Sequence, residues 1–317
     1  MGQPTTALGT LRPDLGGSML GFDNALNQAQ FIGLDVLPVL EVAQQAGTYG
    51  KIPIESLNFT GDTRRAPKAG YKRAEYEFET ETYATKEHGW EDVVDAREAK
   101  MWGNYFSAEL ISAIRARSIV LRNYEVRVAA LIQATGTFTN AARTAALGTV
   151  ATSTPIADVN TRKQAIYDAT GIWPDTLVLT RKQAMLIPLT DEFNDKMVNV
   201  ERTFAGDFTM SHFQAAFDLP KILVAGGAKN TANAGQTASL STIWDDDIMA
   251  ICKTGGGIVD PCLGHTMHWG EDGSAIGTAM ESYESNEVRG NVIRARMDTD
   301  EHLKYPALCE LITGVVT

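Results

Sequence analysis

The residues best suited to chemistry are Asp245, Asp246 and Asp247 followed by His265 and His268, carboxylates and imidazoles of the kind that hold a divalent cation and activate water. Their spacing works against them. His265 and His268 lie three apart in a strand-like run, so their side chains point to opposite faces and cannot chelate one ion without a bulge. The acidic run after Trp244 reads as a turn facing water; for such hard ligands Mg²⁺ or Ca²⁺ would be a better match than zinc. His88, His212 and His302 stand alone in the sequence. Gly255, Gly256 and Gly257 follow Lys253 and Thr254, the reverse of the order in a phosphate loop, and read as a tight turn. Cys252, Cys262 and Cys309 show no C-x-x-C spacing and no histidine placed by spacing as a base. Nor is there a G-x-S-x-G elbow, an H-E-x-x-H or a dinucleotide fingerprint. The expectation is a chain without catalytic, cofactor-binding or metal sites. A metal-dependent hydrolase using the Asp245–His268 region is the alternative from another class.

Composition sets the frame. With 317 residues and 44% hydrophobic content, the chain can bury more than one core and needs neither disulfide nor metal to fold. Three cysteines, an odd number, point to synthesis in a reducing compartment. The N-terminal residues do not form a secretory signal, and no run approaches the ~20 apolar residues that span a bilayer, so a cytoplasmic, membrane-free protein is expected. A net charge of −11 disfavours a tight grip on DNA, which cationic side chains would have to supply.

The elements come next. Residues 1–30 are rich in Gly, Thr, Asn and Gln and read as an extended arm, either disordered or laid across something else. Residues 48–83 read as a long β-hairpin with a basic tip carrying Arg64, Arg65, Lys68, Lys72 and Arg73. In its return limb Glu75, Glu77, Glu79 and Glu81 alternate with Tyr76, Phe78, Thr80 and Thr82, so carboxylates fall on one face and aromatics on the other. That charged face is either a solvated surface or a docking surface on a neighbouring subunit. Residues 91–133, free of proline, place Trp102, Phe106, Leu110, Ile114, Leu121, Tyr124, Val128 and Leu131 on one helical stripe, predicting a spine of about 60 Å. Arg115, Arg117, Arg122 and Arg127, with Glu109 and Glu125 nearby, read as its solvated or ion-paired face. Residues 135–155 read as a flexible crossing. Beyond it helices and short strands alternate: a helix to Thr170 stopped by Gly171, a strand at 176–179, a helix capped by Thr180, another at 210–217, and strands at 222–225, 248–253, 266–269, 287–297 and 308–316. Trp173, Trp244 and Trp269 read as core or interface anchors.

Two motifs carry a resemblance. TGIWPDTLVLT at 170–180, with DEFND downstream, and LPKILVAGGAKNTANAGQTASLSTIWDDD at 219–247 resemble the axial domain of tailed-bacteriophage major capsid proteins, which have the Hong Kong 97 fold. The hairpin, the spine and the return strand EVRGNVIRARMDTD at 287–300 extend that resemblance over nearly the whole chain. It implies an α+β fold with an N-terminal arm and the start of the body (1–47), an extended β-hairpin loop (48–85), a peripheral domain with a long spine helix (86–155, completed by about 275–297) and a mixed α/β axial domain (156–274, completed by about 298–317). The implied function is a non-enzymatic subunit that self-assembles into an icosahedral shell of pentamers and hexamers around double-stranded DNA, which it touches weakly and nonspecifically. Implied partners are a separate scaffolding protein, a portal and a cementing protein, and the implied location is the virion, assembled in the cytoplasm of a bacterial host. Because residues 1–90 are filled by arm and hairpin, no built-in scaffolding segment is expected; Lys68 and Lys72 are read as charges and not as crosslinking residues. An encapsulin, a cellular shell of the same fold that loads an enzyme, is the nearer alternative. The expected inter-subunit residues are Arg64, Arg65, Lys68, Lys72, Arg73, Glu75, Tyr76, Glu77, Phe78, Glu79 and Glu81.

Overall fold

The computed structural model describes residues 10–11, 31–73, 78–102, 107–197, 210–233, 235–255, 257, 260–271, 273, 276 and 279–316. Strand β1 (Thr10–Leu11) belongs to the arm, the rest of whose first 30 residues lies outside the described set. The body opens with α1 (Gly33–Val36), β2 (Val39–Val42) and β3 (Ala46–Lys51), followed by α2 (Ile54–Leu57). β4 (Glu79–Ala84) returns to the body and leads through Thr85 into β5 (Lys86–Asp95), α3 (Ala96–Trp102) and the spine, α4 (Ala108–Ile132).

The spine differs from the expectation. Its first part is strand, because Lys86–Asp95 pairs antiparallel with ten residues of β14 (Gly290–Leu303), a partner some two hundred residues away. The 25 residues of α4 make it about 37 Å long, with Ser107 capping its start by accepting from the Leu110 N–H. Its buried stripe is Ala113, Ala116, Arg117, Val120, Tyr124, Glu125, Val128, Ala129 and Ile132. Small residues at its centre let the helix lie close on the sheet, while Leu110, Ile114 and Leu131 pack at the margin. Glu125 is therefore not on a solvated face. Its carboxylate accepts from the Ile32 and Gly33 backbone N–H groups and the Trp244 indole, at 3.0, 2.8 and 2.6 Å. Arg127 does ion-pair, with Glu301.

The spine packs on a six-stranded sheet ordered β1–β13–β14–β12–β2, with β5 along β14; here β12 is Gly264–Trp269 and β13 is Met280–Ser285. On the sheet's other face Glu91, Arg294 and Glu281 stand side by side across β5, β14 and β13, and Arg296 joins Glu281. Opposite charges in direct register contribute to holding three strands in alignment.

The segment expected as a flexible crossing instead supplies β6 (Thr139–Ala142), and Phe138 and Leu147 are buried. Then come α5 (Pro155–Thr170), β7 (Thr176–Thr180), α6 (Arg181–Leu186), α7 (Asp191–Met197), α8 (Met210–Phe217), β8 (Lys221–Ala225), the small ribbon β9 (Ala228–Asn230) and β10 (Leu240–Thr242), β11 (Met249–Cys252) and, after β14, β15 (Cys309–Thr313). Gly171 closes α5 at φ 71°, and Thr180 forms a reciprocal capping box with Gln183. The second sheet is ordered β6–β15–β11–β7–β8. Two buried clusters result: one around α4 and the first sheet, the other around α5, α8 and the faces of β7 and β11 turned toward them.

Candidate interface loop and its root

The span 46–84 leaves the body as an antiparallel ribbon, β3 with β4, that pairs with no other strand among the described residues. The ribbon is shorter than the hairpin read from the sequence. Past Lys51 the chain forms α2 and then an irregular excursion to residue 73, because Pro53, Pro67 and the glycines at 61 and 70 break ladder pairing. Asn58 ties this excursion to the body by donating to the Thr170 carbonyl at 2.7 Å.

Arg64, Arg65, Lys68, Lys72 and Arg73 are all exposed at its outer end. Local contacts shape the tip. Ala66 to Ala69 form a turn with Pro67 second and Lys68 third, at φ 68°, a left-handed position that normally favours glycine. Arg65 lies over the Tyr71 ring at 4.8 Å and donates to the Ala69 carbonyl. Lys72 pairs with Asp62, whose carboxyl it holds below its ordinary range together with the Arg64 N–H. Phe59, Tyr71 and Phe78 are 60%, 76% and 71% exposed, far more than a folded chain leaves uncovered by aromatic rings in its core. Glu75, Tyr76 and Glu77 lie outside the described residues. Glu79 is exposed, 4.0 Å from Lys51.

Glu81 departs from the expectation that it faces another subunit. It turns to its own body and accepts from Tyr49 Oη at 2.7 Å, Lys51 Nζ at 2.8 Å and His302 Nε2 at 2.8 Å. His302 meets the Tyr49 ring edge-on, Lys51 lies over the Tyr305 ring at 5.0 Å, and Tyr305 donates to the Ile52 carbonyl. Tyr49 and Lys51 could have been found from the register of the hairpin; nothing in the sequence pointed to His302 and Tyr305, which lie more than two hundred residues away. Partial burial pushes the Glu81 carboxyl up, but the donors from Lys51, His302 and Tyr49 outweigh it and bring it down from 4.5 to about 2. A carboxyl depressed by folding contributes stability above its unfolded value and loses it as pH falls toward the folded one. Because Glu81 is partly open to water, screening reduces the full value of this shift, and the parent chain should exceed Glu81→Gln by on the order of 1–2 kcal/mol at neutral pH. In denaturant titrations at stepped pH, the two stability curves should converge between 4.5 and about 2.

The enzyme-like groups do not assemble. His265 and His268 are buried on opposite faces of β12, as their spacing requires. His268 pairs with Glu41, whereas Asp247 accepts from the Gly314 and Val316 N–H groups in the other sheet's turn. Among the described residues no group of three His, Cys, Asp or Glu side chains could hold a metal ion. One contact escaped the sequence reading: Cys262 Sγ lies 3.7 Å from the His265 ring. Both are buried; burial pushes the thiol up and the imidazole down, the opposite of an activated thiolate pair. Burial likewise pushes the Cys252 thiol up to about 12. No helix among the described residues is long and apolar enough to cross a membrane.

No protein-family model matches the sequence, and no curated protein matches it. Solved structures do. A phage-related protein from Bordetella bronchiseptica is similar over 97% of this chain and 98% of that one, with a TM-score of 0.70 at 20% identity. The capsid protein of the cyanophage P-SCSP1u is similar over 89% of this chain and 87% of that one, with a TM-score of 0.56 at 10% identity. An encapsulin from Synechococcus elongatus is similar over 89% and 86%, with a TM-score of 0.51 at 10% identity. The chain thus has the α+β, Hong Kong 97-like fold of tailed-phage major capsid proteins.

Proposed function

We propose that this chain is the major capsid protein of a tailed phage, a structural subunit without catalytic activity that closes with its own copies into an icosahedral shell of pentamers and hexamers around double-stranded DNA. The observation that carries this reading is the whole-chain likeness to capsid subunits combined with a loop whose aromatic and basic tip finds little cover on its own body. Ordering such a projection costs conformational entropy, and contact with a neighbour is what offsets it. In this reading Arg64, Arg65, Lys68, Lys72 and Arg73 meet acidic groups of an adjacent copy, with Phe78 and Glu79 alongside and Glu75, Tyr76 and Glu77 completing the strip. Glu81 is left out, being engaged at home.

The division into arm, loop, peripheral domain and axial domain at 1–47, 48–85, 86–155 and 156–274 belongs to the same proposal, as do a separate scaffolding protein, a portal, a cementing protein and assembly in the bacterial cytoplasm. A net charge of −11 suits a shell along which DNA slides without sticking. The chain expressed alone or with its scaffold should sediment as large closed particles visible by negative-stain microscopy. A compact monomer or small oligomer under all such conditions would overturn the reading. The likeness to an encapsulin favours one second reading, a cellular shell; enzyme instead of DNA inside purified particles would select it.

A further inference from the structure

The ribbon β3–β4 is fastened to the body in an unusual way. Ile54 is the one residue of the span 46–84 that packs against either buried cluster among the described residues, and then only from its margin. Its strands pair with each other alone; the chain bends at residues 43–45 on one side, and on the other the single residue Thr85, which bonds to the Gln45 carbonyl, separates β4 from β5. What joins the ribbon to the body is chiefly polar. Glu81 gathers Tyr49 and Lys51 from β3 and His302 from the end of β14, Tyr305 reaches Ile52, the Ala84 N–H donates to Asp300, and beyond the ribbon Asn58 donates to the Thr170 carbonyl. A single carboxylate is thus the shared acceptor that ties both strands of the ribbon to the body.

We propose that Glu81 is the latch of a hinged loop: with Tyr49, Lys51 and His302 bound to it the ribbon leaves the body in one fixed direction, and without it the ribbon pivots at residues 43–45 and Thr85 while both cores stay folded. Polar contacts suit this role, since water replaces them when they open, whereas an apolar seam would hold the ribbon as part of the core. Fixing the direction beforehand lowers the ordering cost at whatever surface the tip meets. The inference concerns the subunit alone and does not rest on the shell reading.

The test measures a distance within one subunit. Spin labels at Ala69→Cys, on the tip, and Ala130→Cys, on the exposed side of the spine, report the loop's direction by pulsed dipolar spectroscopy; the native cysteines are buried and stay unlabelled. Excess unlabelled subunits isolate each labelled one whether or not copies associate. The otherwise unchanged chain should give one narrow distribution, and Glu81→Gln should broaden it at least twofold or add a second population. Lys51→Met, which removes one donor, should broaden it less and keeps the test decisive if Glu81→Gln does not fold. Distributions in the folded variants as narrow as the parent's would overturn the proposal, as would a broad distribution in the parent.

Discussion

Reversing Arg64 and Arg65 to glutamate is expected to leave a chain that folds and melts like the parent yet forms no closed particles. Both side chains are exposed, and the contacts Arg65 makes are within the tip itself, so the fold should change by no more than about 0.5 kcal/mol. Assembly is different. Residues 60–73 carry five cations against one acid, Asp62, in a chain whose net charge is −11, so the tip is a local inversion of the molecule's field. Exposed charge pairs contribute only ~0.2–1 kcal/mol each, but two reversals replace attraction by repulsion at every copy of the contact. A loss of ~2 kcal/mol per contact, repeated around closed symmetry, prevents closure. Sedimentation and electron microscopy, alongside a thermal melt, check both halves. Normal particles from the double variant would remove the basic tip from the interface.

The largest expected loss of folding stability is at Glu125. Replacing it by alanine leaves the Ile32 and Gly33 N–H groups and the Trp244 indole without their acceptor in a site where Glu125 itself is 1% exposed. Losing several charge-assisted bonds to a buried group should cost about 3–5 kcal/mol, visible as a lower urea midpoint. Glu125→Gln, which keeps an acceptor oxygen, should lose less. Burial raises the Glu125 carboxyl above 4.5 despite its three donors, so the folded state holds this proton more tightly than the unfolded one. Its ionisation therefore subtracts stability as pH rises from 4.5, a slope that Glu125→Gln should remove.

These two sites differ in how far the sequence disclosed them. The basic tip was legible because its residues are contiguous and flanked by turn formers. The Thr180 capping box, the Gly171 stop and the strand read at 222–225, which the structure starts at Lys221, were legible for the same local reason. Glu125 was misplaced because it follows Tyr124 at the edge of the apolar stripe, and only Trp244 and the α1 backbone, brought in from elsewhere, make burial tolerable. Lys86–Asp95 became strand through a partner far along the chain, a force no local window contains. Thr139–Ala142, small and polar, looked like linker; its backbone is held by parallel pairing with β15. The root of the loop was hidden likewise, since Tyr49 and Glu81 meet His302 only after the body has formed.

The late position of β14 and β15 has a bearing on synthesis. Ile293, Ala295 and Met297 complete one core, Ile312 enters the other, and β15 lies between β6 and β11. While the ribosome is still making residues 1–289, Val120 and Val128 lack Ile293, Ala295 and Met297, and β11 lacks its β15 neighbour. Neither sheet can close until residues 290–313 have been made, and a topology of such distant pairings folds slowly and leaves apolar surface uncovered meanwhile.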